Sequence, residues 1–312
     1  ALNMVYPGDL MVGNDALTDN MKYENKTFSY KGKERFFELD NIGKYSAKIK
    51  HIGEQVSNST GIILIYSYYL DNGLIPVALM LEELGYKKYG SPLLTSRTTE
   101  IGKYIIITSD PRYHSNLDVI ERVKAEDNLR GEKIKVVLIS MAGSEGVDFK
   151  NIRQIHILDP WFNMSRIEQI IGRGVRTCSH KMLPFKERNV QLFMYASQLT
   201  DNLLEIAADM HIYNLAEQKA IKVGNISRLL KENAVDCILN HGQTNFAADK
   251  INTSVYITLS TTETIHFPVG DKPYSSACDY MENCSFECTP NKPNLVVNMG
   301  TYNADYMIMR NE

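Results

Sequence analysis

Gln169, Gly172, Arg173 and Arg176 bring two guanidiniums, an amide and a bare backbone position into a stretch of eight residues. At about 100° per residue, positions 169, 173 and 176 share one face of a helix. Guanidinium forks match phosphate oxygens bidentately and stay charged at any working pH. A glycine among them lets a ligand or a second backbone come close. The set suits a polyphosphate. The plainer reading of the same stripe is a solvated face with ordinary surface ion pairs.

A helix must carry these residues, and the sequence supplies one. Ser165 followed three positions later by Glu168 reads as a capping box. Ile167, Ile170, Ile171 and Val175 fall opposite the polar stripe and can pack on a core. Upstream, the strand Val136–Ser140 ends at a hydroxyl, and Gly146 and Asp148 follow Ser140 at +6 and +8. A further strand, Gln154–Leu158, lies between that loop and the helix.

Together, the Q-x-x-G-R-x-x-R pattern from Gln169 and the S-x5-G-x-D pattern from Ser140 resemble the sixth and fifth motifs of superfamily 2 helicases. The run HILDPWFNMSRIEQIIGRGVR, residues 156–176, resembles helicases of large nucleocytoplasmic DNA viruses. Those are relatives of the poxvirus early transcription factor small subunit and nucleoside triphosphatase I, and they look like Snf2-type ATPases. Met141 stands where many DEAD-type relatives carry Asp, which favours the viral and Snf2 branch.

The resemblance implies a second RecA-like lobe. Arg173 and Arg176 would then be arginine fingers reaching a γ-phosphate, with Gln169 orienting the phosphate or the attacking water. Asp148 would accept from a ribose hydroxyl, while Gly146 and Gly172 would allow close approach of the nucleotide. Ser140 would touch a nucleic acid backbone. The segment IYSYYLDNG resembles motif IV, with Ser67, Asn72 and Gly73 as strand-backbone contacts, although Asp-Asn-Gly is also plain turn chemistry. ATP with Mg²⁺ would be held mainly by a first lobe. No G-x-x-x-x-G-K-[ST] loop and no D-E-x-H box occurs in these 312 residues. The chain by itself is therefore expected to hydrolyse ATP no faster than background.

The elements along the chain agree with that class. Tyr45, Ile49, Ile52 and Val56 recur at helical spacing, and Gly61–Ser67 is an apolar, β-branched run suited to a strand buried on both faces. A helix over Ile75–Leu84 should close at Gly85. Lys103–Thr108, a helix near Leu117–Leu129, Ile134–Ser140 and Val190–Tyr195 continue the alternation. The expected fold is α/β, a RecA-like parallel sheet sandwiched by helices, followed by a helical and Cys-containing C-terminal region. In such sheets ligands sit beyond the carboxyl ends of the strands.

Three divisions follow. Residues 1–40 read as an extension from a preceding lobe, 41–199 as the RecA-like domain, and 200–312 as an accessory region with a helix break at Gly224–Asn225. The start at Ala1 reads as that of a processed or excised piece.

Net charge is −3, which argues little for nucleic acid. Between Met164 and Arg188, however, six basic residues face two acidic ones, a local +4 that is compatible with phosphates. No apolar run approaches the about 18–20 residues of a membrane span, and no signal peptide is evident. With five cysteines the chain does not read as a secreted disulfide framework. An intracellular protein is expected, in host cytoplasm or virion if viral. Cys278, Cys284 and Cys288, with Cys237 as the fourth donor and His241 in reserve, are candidate structural Zn²⁺ ligands. The alternative is three free thiols in a small core, or a disulfide formed during handling.

The expected activity is that of an ATP-dependent viral helicase or translocase lobe. Its expected partners are the first lobe of the same polypeptide and nucleic acid, DNA before RNA, with viral transcription or replication proteins a further class. The competing expectation is a non-catalytic module that docks such a partner through residues 200–312.

Overall fold

The computed structural model describes residues 3–9, 12–95, 99–141, 146–198, 205–247 and 251–289. The chain divides into two compact units, Ala1–Ala216 and Glu217–Glu312.

The first unit opens with helix α1 (Gly13–Asn20), the antiparallel hairpin of β1 (Met21–Glu24) and β2 (Thr27–Tyr30), and a single turn, α2 (Leu39–Ile42). Helix α3 (Ala47–Asn58) starts where Ser46 accepts from the Ile49 amide. Strand β3 (Ile62–Tyr66), helix α4 (Ile75–Leu84), β4 (Tyr86–Lys88), β5 (Gly102–Ile107), α5 (Leu117–Val123), β6 (Val136–Ile139) and β7 (Ile152–Ile157) follow. Helix α6 (Met164–Gly174) and strand β8 (Gln191–Met194) complete the alternation. Gly85 ends α4 at φ +102°, the left-handed conformation that favours glycine.

Six strands form one parallel sheet in the order β4-β5-β6-β3-β7-β8. Alternation along each strand sorts the core into two layers. Ile63, Ile65, Tyr104, Ile106, Val136 and Leu138 pack with α3 and α4. Ile62, Leu64, Tyr66, Ile105, Ile107 and Val137 pack with α5 and α6. The opening segment joins the first layer through Met4, Tyr6, Leu17, Phe28 and Phe37, all at most 3% exposed.

Helix α4 is buried on nearly every side, so its carboxylates need partners. Glu82 accepts from the amides of Leu93 and Leu94 and from the Tyr104 hydroxyl, and Glu83 receives Tyr30 and Arg35.

The second unit holds most of helix α7 (Ala208–Asn233), helix α8 (Cys237–Thr244) and the antiparallel hairpin of β9 (Ser254–Thr258) and β10 (Thr264–Pro268). Helix α7 runs through Gly224, so the expected break is absent. A side chain at 224 would collide with the carbonyl of Asp279, and glycine serves close packing there. Asp279 receives Arg228 at 2.9 Å and Lys231 at 2.7 Å. The expected Zn²⁺ set is corrected. Cys237 is bonded to Cys288 and Cys278 to Cys284, so these sulfurs are not thiolate ligands. Among the described residues no group of His, Cys, Asp or Glu is placed to hold a metal.

Candidate functional site

The arginine cluster is built by one helix and one loop. Asn163 caps α6 by accepting from the Ser165 amide at 2.9 Å, so the helix begins ahead of the expected Ser165–Glu168 box. Ile167 and Ile170 are buried against the sheet. At Gly174 an added Cβ would lie 3.0 Å from Ile155 and 3.2 Å from Ile152. That close seating presents the opposite face of the helix outward. The helix ends at Gly174, before Arg176, and Val175 is 47% exposed rather than packed. Arg176 therefore reaches the cluster from a non-helical position, which the expected i+7 geometry did not anticipate.

The loop bearing Gly146 and Asp148 is tied to the end of this helix. The Phe149 amide donates to the Arg173 carbonyl at 3.0 Å, and the Phe149 ring is buried. Asp148 then faces both arginines. Arg173 Nη1 lies 3.4 Å from Oδ1, and Arg176 Nη1 lies 2.5 Å from Oδ2. Arg176 Nε also donates to the Gly172 carbonyl at 3.0 Å. Two guanidiniums against one carboxylate leave a net positive charge. Asp148 and Arg176 are each about half exposed, so their pair contributes at most about 1 kcal/mol. A polyphosphate can compete for such cations.

Gln169 is exposed on the same helix. At Gly172 an added Cβ would meet nothing within 4 Å, so the fold of this unit does not itself require glycine there. At Gly146 the space is equally open, but φ is +74°, and conformation accounts for the residue.

Two of the motif IV residues, Ser67 and Gly73, lie buried. Ser67 is fully buried, with its hydroxyl 2.5 Å from Asp159 Oδ1. Gly73 is buried, and a side chain there would strike the Ser67 hydroxyl. Both shape the loop that follows β3. Asn72 is half-buried, and its Oδ1 has no partner among the described residues. Ser140 is buried at the end of β6, its amide donating to the Ile107 carbonyl at 3.0 Å.

Two features at the carboxyl ends of β3 and β7 were not anticipated from sequence. One is a buried polar node on Asp159, which is 1% exposed. It accepts from Ser67, from the Tyr68 amide at 2.8 Å and from Asn3 Nδ2 at 2.8 Å. Lys48 Nζ joins through Asn3 Oδ1 and the Leu158 carbonyl, and it pairs with Asp209 at 2.5 Å. Burial pushes the Asp159 carboxyl above its ordinary range, against the lowering effect of its hydrogen bonds. A carboxylate directly after an apolar strand was the available signal.

The other feature is an aromatic group. The rings of Tyr68 and Trp161 lie 4.4 Å apart, Tyr69 and Phe162 pack edge-on against them, and the Arg166 guanidinium sits 4.4 Å above Trp161. Beneath them burial raises the Tyr66 hydroxyl to about 12, with Asp159 adding and Arg166 opposing. Burial also lowers the His156 imidazole to about 3, and its Nδ1 is hydrogen-bonded to the Tyr195 hydroxyl at 2.8 Å.

The chain combines a six-stranded parallel sheet with two arginines gathered on one carboxylate near the end of α6. Residues 93–178 match the helicase conserved C-terminal domain. The chain is 29% identical over 278 residues to the helicase-named protein 087L of Invertebrate iridescent virus 3, covering 86% of this chain and 25% of that one. It is 31% identical to R563 of Acanthamoeba polyphaga mimivirus, named for an ATP-dependent RNA helicase, over 72% of this chain and 39% of that one. It is 28% identical to the termination factor NPH-I homolog of African swine fever virus, over 62% and 33% respectively. Residues 93–178 thus match a helicase C-terminal domain, and the chain is similar to helicase-named and termination-factor-named proteins of large DNA viruses. It spans between a quarter and two-fifths of the length of these relatives. No described helix is long and apolar enough to cross a membrane.

Proposed function

We propose that the chain supplies the second half of an ATP site in a viral helicase or translocase that acts on nucleic acid. The observation that carries this reading is the gathering of Arg173 and Arg176 on Asp148, beside the open backbone at Gly172. In this reading a nucleotide with Mg²⁺, held by a first lobe, draws the arginines from Asp148 onto its terminal phosphate. There they stabilise the charge of the transferring phosphoryl group. Such arginines are worth about 10³–10⁵ in rate elsewhere. Gln169, exposed on the same face, orients the phosphate or water, and Asp148, once released, accepts from the ribose. Nucleic acid crosses the carboxyl ends of the strands near Ser140 and Asn72, with DNA favoured over RNA.

The test is nucleic-acid-stimulated ATP hydrolysis by the longer polypeptide. Arg173→Ala should lower kcat by about 10³-fold with little change in KM. An unchanged kcat would assign Arg173 a structural role and overturn the reading.

A second reading, docking of a viral transcription or replication protein, rests on the second unit. There Val223, Ile226 and Leu230 on α7 are each more than half exposed. Loss of a captured partner on deleting residues 217–312, with hydrolysis unaffected, would favour it.

A further inference from the structure

We infer that Ser179 and His180 are positioning residues for Arg176, a hydrogen-bonded clamp that sets this arginine once the chain has left α6. The inference rests on the reading of Arg176 as a phosphate contact, and it names what holds that residue in place.

Helix α6 ends at Gly174, so the backbone at position 176 lies beyond the helical ladder. Ser179 supplies the partners that the ladder does not. Its amide donates to the Arg176 carbonyl at 3.0 Å, and its hydroxyl accepts from the Arg176 amide at 3.3 Å. Ser179 is only 9% exposed, so water competes little for these bonds. The hydroxyl is itself anchored, 2.8 Å from His180 Nδ1, and His180 Nε2 lies 2.6 Å from the Ile152 carbonyl. A carbonyl can only accept, so Nε2 carries the ring proton, and Nδ1 of the neutral ring accepts from the hydroxyl. Each bond then has one direction: the Arg176 amide to Ser179, Ser179 to His180, and His180 to Ile152. Ile152 is the first residue of β7 and is fully buried. The arginine that faces Asp148 is thus tied through two side chains to the sheet.

The turn itself needs such a tie. Cys178, inside it, stands at φ +61°, in the left-handed region. A residue other than glycine keeps that conformation where its surroundings over-determine it. The Asn151 amide, donating to the Ser179 carbonyl at 3.2 Å, adds a second link to the segment just before β7. Arg173 needs no equivalent, because it lies inside the helix. The two arginines are held by different means, and the second can be loosened without unwinding α6.

Two measurements test the clamp. In this chain, amide exchange at Arg176 should quicken about tenfold in Ser179→Ala and in His180→Ala, the effect of one lost hydrogen bond, while the amides of β3 keep their protection. In the longer polypeptide, Ser179→Ala should lower the kcat of nucleic-acid-stimulated ATP hydrolysis about tenfold with little change in KM, because a misplaced arginine is missed where charge develops. The double variant Ser179→Ala/Arg176→Ala should be no slower than Arg176→Ala alone, since a residue that acts through Arg176 then has nothing left to position. Costs that multiply in the double variant would make Ser179 merely structural and overturn the clamp. Unchanged exchange at Arg176, or lost protection in β3, would overturn it as well. A slowed Arg176→Ala beside an unaffected Ser179→Ala would overturn the clamp and leave the phosphate contact standing. An unchanged kcat in Arg176→Ala would overturn both together.

Discussion

The two compact units are built on different principles. In the first, both apolar layers of the sheet are continuous, and strands, helices and the opening segment all contribute to them. Neither layer reaches past Tyr213. Among the described residues of the second, the buried apolar ones are scattered: Ala220, Cys237, Ala247, Cys278 and Phe286. What joins its parts is covalent and ionic, the two disulfides and the Arg228–Asp279–Lys231 cluster. Few buried apolar groups are described there, and the cross-links offset part of the chain entropy of ordering the segment.

The difference can be broken open by reduction. Closing the 51-residue separation between Cys237 and Cys288 is worth about 4 kcal/mol in the chain-entropy account, and the six-residue separation about 2 kcal/mol. A thiol reductant should therefore abolish hydrogen-exchange protection in residues 217–289 and leave that of β3, β5, β6 and β7 intact. Loss of protection in the sheet as well would mean that the units are not energetically separate.

Acid should act in the opposite sense, on the first unit. Burial holds His156 neutral, with its pKa at about 3 against an ordinary 6.5. The unfolded chain therefore takes up a proton that the folded chain refuses. Stability from this group is complete above about pH 6.5 and declines as pH falls toward 3. Between pH 7 and 5 the loss should be about 2 kcal/mol, read from urea midpoints of the first unit. His156→Gln should flatten that slope, and an unaltered slope would locate the acid sensitivity elsewhere.

The smallest test compares side chains. Ile65→Val, in a layer with no exposed surface, should cost about 1 kcal/mol in chemical denaturation. Leu230→Ala, at a position 68% exposed, should stay within about 0.5 kcal/mol. Equal costs would show that α7 is packed as tightly as the sheet.

The same contrast explains what could be read in advance. The central strands announce themselves as β-branched runs, and Gly85 announces the end of α4, because burial and backbone geometry are local properties. Strand β4 is three polar-flanked residues at an edge and carries no such signal. The first forty residues pack through aromatics without a period, so their place in the core was not legible. The pairing of Gly146–Asp148 with Gln169–Arg173 was readable as two motifs, but the exit of Arg176 from the helix was not. The partner of Ser67 was not legible either, since its hydroxyl donates to a carboxylate 92 residues away. The cysteines gave their number and spacing but not their oxidation state.

The placement of β3 has a consequence for how the protein comes to exist. It is the earliest-made strand of the sheet, yet it lies at the interior, between β6 and β7. Its hydrogen-bonding edges wait for partners that leave the ribosome some seventy to ninety residues later. The Asp159 node closes later still, joining Asn3 across 156 residues. Contacts of such separation slow folding and lengthen the exposure of an apolar, unpaired strand. During synthesis the nascent chain is thus most vulnerable to aggregation between the emergence of β3 and that of β7. The edge that would meet nucleotide and strand is among the last parts of the first unit to take shape.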